Sequence, residues 1–242
     1  MRAKAVIEYN GSKFYGFQRQ KDTKNSVAET IELALSSLGI FGKIRGSGRT
    51  DRGVHATGQV VDFELPKYWQ NRSLSELKYR LNQKLGYIRF KYIKEVDNSF
   101  HSQYSAKVRV YRYLIKTSTP NIFESEFISY YSIKNLKLLE EALNLYIGRH
   151  NFKYFKKEGS VTSSDIREVY KIKVVKLGSF VAIYFFANGY LRSQIRMMIE
   201  GALKVERGEL NLNKLKEQLE LKQKHFATLA QPQGLYLHKV FY

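Results

Sequence analysis

The pattern of hydrophobic and polar positions over the first hundred residues predicts six elements in the order βαββαβ. Leucines recur at helical spacing from Leu74 to Leu85, with Ser73 or Ser75 as the candidate N-cap. The segment 54–63 ends in the alternation that is typical of a strand with one buried face. The predicted strands cover residues 4–9, 43–45, 54–63 and 87–95, and the predicted helices cover 27–38 and 75–85.

The second half of the chain repeats the same order of elements. Its predicted strands cover residues 105–117, 167–177, 180–188 and 235–241, and its predicted helices cover 136–147 and 191–205, with a short extra helix over 213–221. Two copies of this plan predict an α+β fold of two ferredoxin-like halves. Their antiparallel sheets are expected to join edge to edge and to leave a basic cleft between the halves. The predicted boundary lies near Asn98, so the halves are residues 1–98 and 99–242.

The charge balance favours a polyanionic partner. The chain has 41 Lys and Arg residues against 22 Asp and Glu residues, a formal net charge of +19, which is typical of proteins that bind nucleic acid. A membrane surface is the competing partner, but no apolar stretch approaches the roughly 18 residues of a spanning helix. The first residues also lack the apolar core of a signal peptide. These observations favour nucleic acid as the partner and the cytoplasm as the location.

Residue usage narrows the possible chemistry. Cysteine is absent, which excludes disulfides, Cys-based zinc sites, iron–sulfur clusters and thiol catalysis. The five histidines are scattered without the HxxxH spacing of a His-based metal site. The 18 Tyr and 15 Phe residues suit base stacking where they alternate with Lys and Arg, although most are expected in the core and the sheets. We therefore predict no metal and no other cofactor.

A glycine-rich turn between the second and third predicted strands carries the candidate chemistry. Residues 46–53 contain three Gly, two Arg and one Asp. A dinucleotide-binding loop does not fit, because Asp51 stands where the third glycine would be and no strand-to-helix transition follows. Asp51 lies between Arg49 and Arg52, and nearby cations favour an ionised carboxylate, which suits a nucleophile better than a general acid. Asp close to Gly is also common in ordinary turns. Spacing alone therefore leaves open whether Asp51 is a catalytic carboxylate or a structural turn residue.

Five segments in order along the chain carry a family resemblance. Residues 48–61 (GRTDRGVHATGQVV) resemble the signature of the TruA-type pseudouridine synthases. The resemblance continues in the segments 9–20 (YNGSKFYGFQRQ), 100–113 (FHSQYSAKVRVYRY), 188–201 (NGYLRSQIRMMIEG) and 234–236 (GLY). Because the five segments are collinear and span nearly the whole chain, they identify it as similar to this family of tRNA-modifying enzymes.

The resemblance implies roles for particular residues. The Asp of Gly-Arg-Thr-Asp is the family's catalytic residue, which corresponds to Asp51. Tyr111 matches the active-site Tyr that stacks on the target uracil, and Arg196 matches the Arg that pairs with the catalytic Asp. The family is homodimeric, needs no cofactor and modifies uridines at positions 38 to 40 of the tRNA anticodon stem-loop. Without the resemblance, Tyr111 would be an ordinary strand residue and Arg196 a solvated helix residue.

The sequence also departs from the family's pattern. The family usually has a small residue where this chain has Arg52, and the segment 191–201 is only loosely similar. Arg49 and Arg52 are candidates for gripping the RNA backbone or for holding the gap left by an extruded base. Arg192 lies four residues before Arg196, so we expect it on the same helix face and in contact with phosphate. His55 is left out of the catalytic set, because the reaction does not demand an imidazole.

The first similar segment contains three aromatic residues and a glutamine whose role the sequence leaves open. It reads as the loop after the first strand, where side chains could stack on RNA or pack the loop itself. The residues concerned are Phe14, Tyr15, Phe17 and Gln18.

Pseudouridine formation breaks the bond from ribose C1′ to uracil N1, turns the base, rejoins it through C5 and removes the C5 proton. One carboxylate can serve this reaction, either as a nucleophile at C1′ or by removing the C2′ proton to form a glycal. The sequence does not choose between these routes. A base inside a stem must also be extruded, at a cost of a few kcal/mol that phosphate contacts must offset.

Two other functions are compatible with parts of the sequence. A non-catalytic RNA-binding protein could use ferredoxin-like sheets with exposed aromatics and a basic surface. Hydrolysis of a glycosidic bond would need a second carboxyl group near Asp51. Asp62 and Glu64 are nearby in the sequence, but strand geometry is expected to place them well away from the turn.

Overall fold

The computed structural model describes residues 1–21, 23–69, 72–159 and 162–242, and the chain forms two compact units. The first unit contains Met1–Lys107 and Tyr236–Tyr242, and the second contains Val108–Leu235. The sequence placed the boundary near Asn98 and the last strand in the second half. In the structure the segment after Asn98 stays with the first unit, where the backbone N–H of Ser102 donates to Asp62 at 2.8 Å.

The first unit contains a sheet and two helices in the predicted order. Strand β1 is antiparallel to β3 on one side and to β4 on the other, and the short β2 pairs with β3. The sequence order is therefore not the order of the strands in the sheet, as expected for a split βαβ plan. The elements are β1 (Arg2–Tyr9), α1 (Val27–Ser36), β2 (Arg45–Gly46), β3 (His55–Glu64), α2 (Leu74–Lys84) and β4 (Ile88–Val96).

Serine caps determine where both helices of the first unit begin. The side chain of Ser26 accepts a hydrogen bond from a backbone N–H in the first turn of α1, and Ser73 does the same for α2. Each bond satisfies a donor that the helix itself leaves unpaired. Helix α1 then buries Val27, Ile31 and Leu35, which share one face at helical spacing.

The second unit has the same plan except for the final strand, with additions. The sheet order is β5-β9-β8-β7 with antiparallel neighbours, and β6 pairs in parallel with β5. The predicted α+β class is confirmed. Within the described ranges, no helix combines the length and the apolar character needed to cross a membrane. The elements are β5 (Val108–Lys116), β6 (Ser129–Tyr130), α3 (Leu136–Asn144), β7 (Gly148–Asn151), β8 (Ile166–Leu177), β9 (Phe180–Ala187), α4 (Gln194–Glu206) and α5 (Leu212–Leu219).

Three features of the second unit differ from the sequence prediction. Strands β6 and β7 were not predicted, because two and four residues are too few to show alternation. Helix α4 begins at Gln194 and not at Leu191, because Ser193 has φ = 60°, in the left-handed region. A residue with this conformation cannot continue a right-handed helix. Arg192 therefore precedes α4, and the prediction that it shares a helix face with Arg196 is wrong.

The last strand, β10 (Leu235–Phe241), returns to the first unit for most of its length. Tyr236 and Leu237 pair in parallel with His55 and Ala56 at the start of β3. At Gly58, a Cβ atom would overlap the carbonyl oxygen of His238. The close approach of these two strands therefore needs a glycine, and β10 supports the part of β3 that follows the candidate catalytic turn.

Candidate active site

The Asp51 turn connects β2 to β3 and is held by a side chain from β3 itself. Gln59 is fully buried, and its amide nitrogen donates to the carbonyl oxygen of Gly48 at 2.7 Å. The hydroxyl of Ser47 donates to the amide oxygen of the same Gln59 at 2.6 Å. The backbone N–H of Val54 donates to the carbonyl oxygen of Asp51 at 3.1 Å. The turn is thus closed by several hydrogen bonds whose groups are shielded from water.

The loop after β1 forms a second support for the turn. The hydroxyl groups of Tyr9 and Thr50 lie 2.8 Å apart in a buried hydrogen bond. The backbone N–H of Phe17 donates to the carbonyl oxygen of Thr50 at 3.0 Å, and that of Gly53 donates to the carbonyl oxygen of Gly11 at 3.3 Å. The segments 9–20 and 48–61, which were identified separately in the sequence, therefore form one structural unit around Asp51.

Two glycines allow this close contact between the loop and the turn. A Cβ atom at Gly11 would overlap the carbonyl oxygen of Val54. Gly16 has φ = +111°, and a Cβ atom there would lie 2.9 Å from the carbonyl oxygen of Thr50. Only glycine combines this backbone conformation with such a short approach at low cost.

The two arginines that flank Asp51 are exposed, whereas Asp51 is partly buried. Within the described part of the chain, Arg49 has no hydrogen-bond or ion-pair partner. The guanidinium of Arg52 lies over the ring of Tyr15, with its Cζ atom 4.4 Å from the ring centroid. The turn therefore presents a carboxylate between two cations that can reach an anionic ligand.

His55 has a structural role at the start of β3. Its ring is 1% exposed, and its Nδ1 atom accepts a hydrogen bond from the backbone N–H of Gly11 at 3.0 Å. The imidazole also stacks on Tyr236, with ring centroids 4.8 Å apart. An Nδ1 atom that accepts a hydrogen bond carries no proton. These contacts explain the ring's position without any catalytic role.

In the second unit, Tyr111 lies on β5 opposite Phe185 of β9 and is 6% exposed. Its ring meets that of Tyr190 edge to face, with centroids 5.2 Å apart. The hydroxyl of Tyr190 is buried and has no hydrogen-bond partner among the described residues. Burial raises the pKa of Tyr190 well above its ordinary value, the neighbouring Tyr111 raises it further, and Arg109 opposes both.

The structure places the other two arginines of the second unit in different settings. Arg196 lies on α4 and is partly buried, and its Nε donates to the carbonyl oxygen of Ala230 at 2.7 Å. The backbone N–H of Ala230 donates back to the carbonyl oxygen of Arg196 at 3.1 Å. Arg192 is exposed, and its side chain has no hydrogen-bond or ion-pair partner in the described ranges. Its guanidinium is therefore available to a phosphate even though it lies outside the helix.

The two candidates for the second carboxylate that glycosidic hydrolysis would require, Asp62 and Glu64, are engaged elsewhere. Asp62 has a fully buried side chain and accepts hydrogen bonds from Arg2 at 2.6 Å, from Nε of Arg45 at 2.9 Å and from the backbone of Ser102 at 2.8 Å. Glu64 is paired with Arg2 at 2.8 Å. A buried carboxylate with three donors is a structural anchor and not a free acid or base.

Sequence reasoning missed the residues that support the turn. Tyr9, Thr50 and Gln59 lie inside the similar segments, but no periodicity or spacing shows that their side chains meet. The available signal was Gly11 and Gly16, because glycines in a loop can mark a close backbone approach. In the described residues, no group of three or more His, Cys, Asp or Glu side chains is arranged to hold a metal ion.

Comparisons with known proteins agree with the five similar segments. A family model described as tRNA pseudouridine synthase matches residues 5–105 and 142–242. A tRNA pseudouridine synthase A from Wolinella succinogenes is 41% identical over 237 residues, which cover 98% of this chain and 92% of that protein. A protein of the same name from Helicobacter hepaticus is 39% identical, over 99% of this chain and 98% of that protein. Another from Campylobacter jejuni strain RM1221 is 34% identical over the full length of both chains. The chain therefore belongs to the TruA-type family of tRNA pseudouridine synthases, which are isomerases.

Proposed function

We propose that this chain converts uridine to pseudouridine in the anticodon stem-loop of tRNA, with Asp51 as the essential carboxylate. The observation that carries the proposal is the construction of the turn. Asp51 follows Thr50, whose hydroxyl and carbonyl groups are both hydrogen-bonded to the loop after β1. A carboxylate on a backbone fixed in this way meets the requirement of catalysis for a preset geometry.

The reaction needs only groups that the chain itself supplies. The bond from C1′ to N1 breaks, the released uracil turns, a bond from C1′ to C5 forms, and the proton on C5 leaves. Asp51 acts at the ribose, either by attack on C1′ or by removal of the C2′ proton, and both routes regenerate the carboxylate. Both routes require the carboxylate form of Asp51.

We assign Tyr111 and Arg196 to the same site. Tyr111 stacks on the target uracil, and its edge-to-face contact with Tyr190 fixes the plane of its ring. Arg196 pairs with Asp51 until substrate enters, and its hydrogen bond to Ala230 orients the guanidinium. These two roles rest on the matching positions in the family's motifs.

Two exposed arginines, Arg49 and Arg192, bind the RNA backbone. Arg49 and Arg192 have no hydrogen-bond or ion-pair partner within the described ranges, so phosphate binding does not require breaking an existing pair. The formal net charge of +19 adds long-range attraction for tRNA. By resemblance we assign a cytoplasmic homodimer as the working form, and a monomer at micromolar concentration in sedimentation would contradict the dimer.

Tritium release from tRNA that carries 5-tritiated uracil tests the proposal, because forming the C1′ to C5 bond expels the label. We expect release by the wild type and a loss on the order of a thousandfold or more in Asp51→Ala. Glu64→Gln is the matched control, since it also removes a carboxylate, but one that is exposed and paired with Arg2 outside the site. Transcripts with cytidine at positions 38, 39 and 40 locate the target uridines.

Three outcomes would contradict the assignment. No release by the wild type from any tRNA, together with intact RNA binding, would favour the non-catalytic RNA-binding protein. Release by Asp51→Ala at the wild-type rate would remove Asp51 from the mechanism. Release that persists without uridine at positions 38 to 40 would leave the reaction in place and change its target.

A further inference from the structure

Tyr15 lies on a loop whose backbone is fixed from two directions. On one side, the N–H of Phe17 donates to the carbonyl oxygen of Thr50 at 3.0 Å. On the other side, the N–H of Val27, at the start of α1, donates to the carbonyl oxygen of Gly16 at 3.1 Å. A side chain on a backbone fixed in this way needs little further ordering when a ligand binds.

The ring of Tyr15 contacts the guanidinium of Arg52 and restricts its position. The Cζ atom of Arg52 lies 4.4 Å from the ring centroid, within the range of a cation–π contact. Among the described residues, this ring is the only partner of the Arg52 guanidinium. Tyr15 is 43% exposed, so the pair lies at the surface next to Asp51. Arg49, on the other side of Asp51, has no such support.

We infer that Tyr15 holds Arg52 as a stacking platform for the nucleobase next to the target uridine. The inference rests on the proposed function, because it places the RNA at the Asp51 turn. Extruding a uridine leaves its neighbours without a stacking partner. Unstacked bases in RNA are bound by aromatic rings and by guanidinium planes. The Arg52 side chain is exposed, so a base can reach the guanidinium beside the Tyr15 ring.

The identity of the side chains favours stacking over phosphate binding. A phosphate contact needs a positive charge and N–H donors, which Lys can also supply, whereas a planar stacking surface requires Arg. A ring beneath the cation is also unnecessary for phosphate binding, which needs charge and N–H donors alone. Tyr15 therefore acts as a positioning residue, and Arg52 contacts the substrate.

Binding of a fluorescent tRNA at several salt concentrations tests this role without requiring turnover. All variants carry Asp51→Ala, so that the RNA stays unmodified. We expect Arg52→Ala and Arg52→Lys each to weaken binding about tenfold. We expect Tyr15→Leu to weaken binding about threefold when Arg52 is present and to have no effect when Arg52 is Ala. Tyr15→Phe keeps the ring and should bind like the parent protein.

Tyr68→Leu is the matched control. Tyr68 is exposed, it belongs to the same unit, and the guanidinium of Arg72 lies near its ring at 5.8 Å. Its other contacts are with the backbone at Leu38 and Gly39 and with the ring of Trp69. We expect this change to leave RNA binding unaltered. Circular dichroism confirms that each variant is folded.

Two results would overturn the inference. Full binding by Arg52→Lys, or a salt slope that falls by about 0.7 in Arg52→Ala, would show that Arg52 contacts a phosphate and not a base. An equal effect of Tyr15→Leu with and without Arg52 would show that the two residues act separately. Because these measurements use binding alone, they stay decisive even if the wild type releases no tritium and the proposed function fails.

Discussion

Thr50 sets the position of the peptide that leads into Asp51. Its hydroxyl contacts that of Tyr9 at 2.8 Å, and its carbonyl oxygen accepts the N–H of Phe17 at 3.0 Å. The residue is 7% exposed, so water does not compete for these bonds. Since both the hydroxyl and the carbonyl of Thr50 have partners, the backbone before Asp51 has little freedom before any substrate arrives.

Tyr190 shows the opposite situation, a buried hydroxyl without a partner among the described residues. Such a group loses its hydrogen bonds to water and gains none in return, at a cost of about 1–3 kcal/mol. We therefore predict that Tyr190→Phe leaves the free energy of unfolding unchanged or raises it by about 1 kcal/mol. Urea denaturation followed by circular dichroism measures this change.

Tyr146→Phe is the control for that measurement. Tyr146 is fully buried like the Tyr190 hydroxyl, but its hydroxyl donates to the carbonyl oxygen of Met198 at 3.1 Å. Removing it breaks a buried hydrogen bond, so we expect a loss of about 1 kcal/mol. If Tyr190→Phe destabilises the protein as much as Tyr146→Phe, the hydroxyl of Tyr190 makes a hydrogen bond in the folded protein, which would contradict the prediction.

At the scale of elements, Asp62 joins three strands of the first unit. It lies on β3 and accepts hydrogen bonds from Arg2 on β1 and Arg45 on β2, and from the backbone of Ser102. Burial alone would raise the pKa of Asp62, but the hydrogen bonds from Arg45, Ser102 and Arg2 lower it below its ordinary value. The ionised carboxylate therefore stabilises the arrangement of these strands.

We predict that Asp62→Asn lowers the free energy of unfolding by about 3 kcal/mol near neutral pH, because two arginines lose their buried anion. The effect should depend on pH. The pKa of Asp62 in the folded protein is lowered from its ordinary value of 3.8. The stability that Asp62 contributes is therefore fully present above pH 3.8. It is lost as the pH falls through the lower pKa of the folded protein. The difference between wild type and variant should therefore narrow in acid.

Glu64→Gln is the matched control for Asp62. Glu64 pairs with the same Arg2, but its side chain is 78% exposed, and exposed ion pairs contribute little. We expect a change below about 0.5 kcal/mol from this substitution. Equal effects of the two substitutions, or a difference between wild type and Asp62→Asn that does not change with pH, would show that burial of Asp62 has no special role.

Helix α4 illustrates why local pattern misplaces the ends of elements. The apolar residues Leu191 and Ile195 are four apart, which agrees with one continuous helix. Ser193 nevertheless adopts φ = 60°, and the helix begins after it. Hydrophobic periodicity indicates which side chains face the core. It does not predict that one residue, such as Ser193, adopts a left-handed backbone conformation.

At the scale of the whole molecule, the excess of cations predicts how tRNA binding responds to salt. The formal net charge is +19, and each neutralised phosphate contributes about −0.7 to −0.9 to the slope of log K against log salt. We predict a slope of about −4 or steeper, measured by filter binding between about 50 and 200 mM salt. Affinity that does not change over this range would contradict a binding surface built from cations.

Patterns in the sequence predicted the order of the longer elements, the α+β class, the basic character and the family, and within the family's pattern they singled out Asp51. These features could be predicted because periodicity, composition and collinear motifs are properties of the chain. Only the tertiary structure decided that Tyr9 and Phe17 hold Thr50, that Gln59 closes the turn, and that Arg52 lies on Tyr15. These contacts join residues that are distant in sequence, and their geometry arises only when the backbone segments pack together.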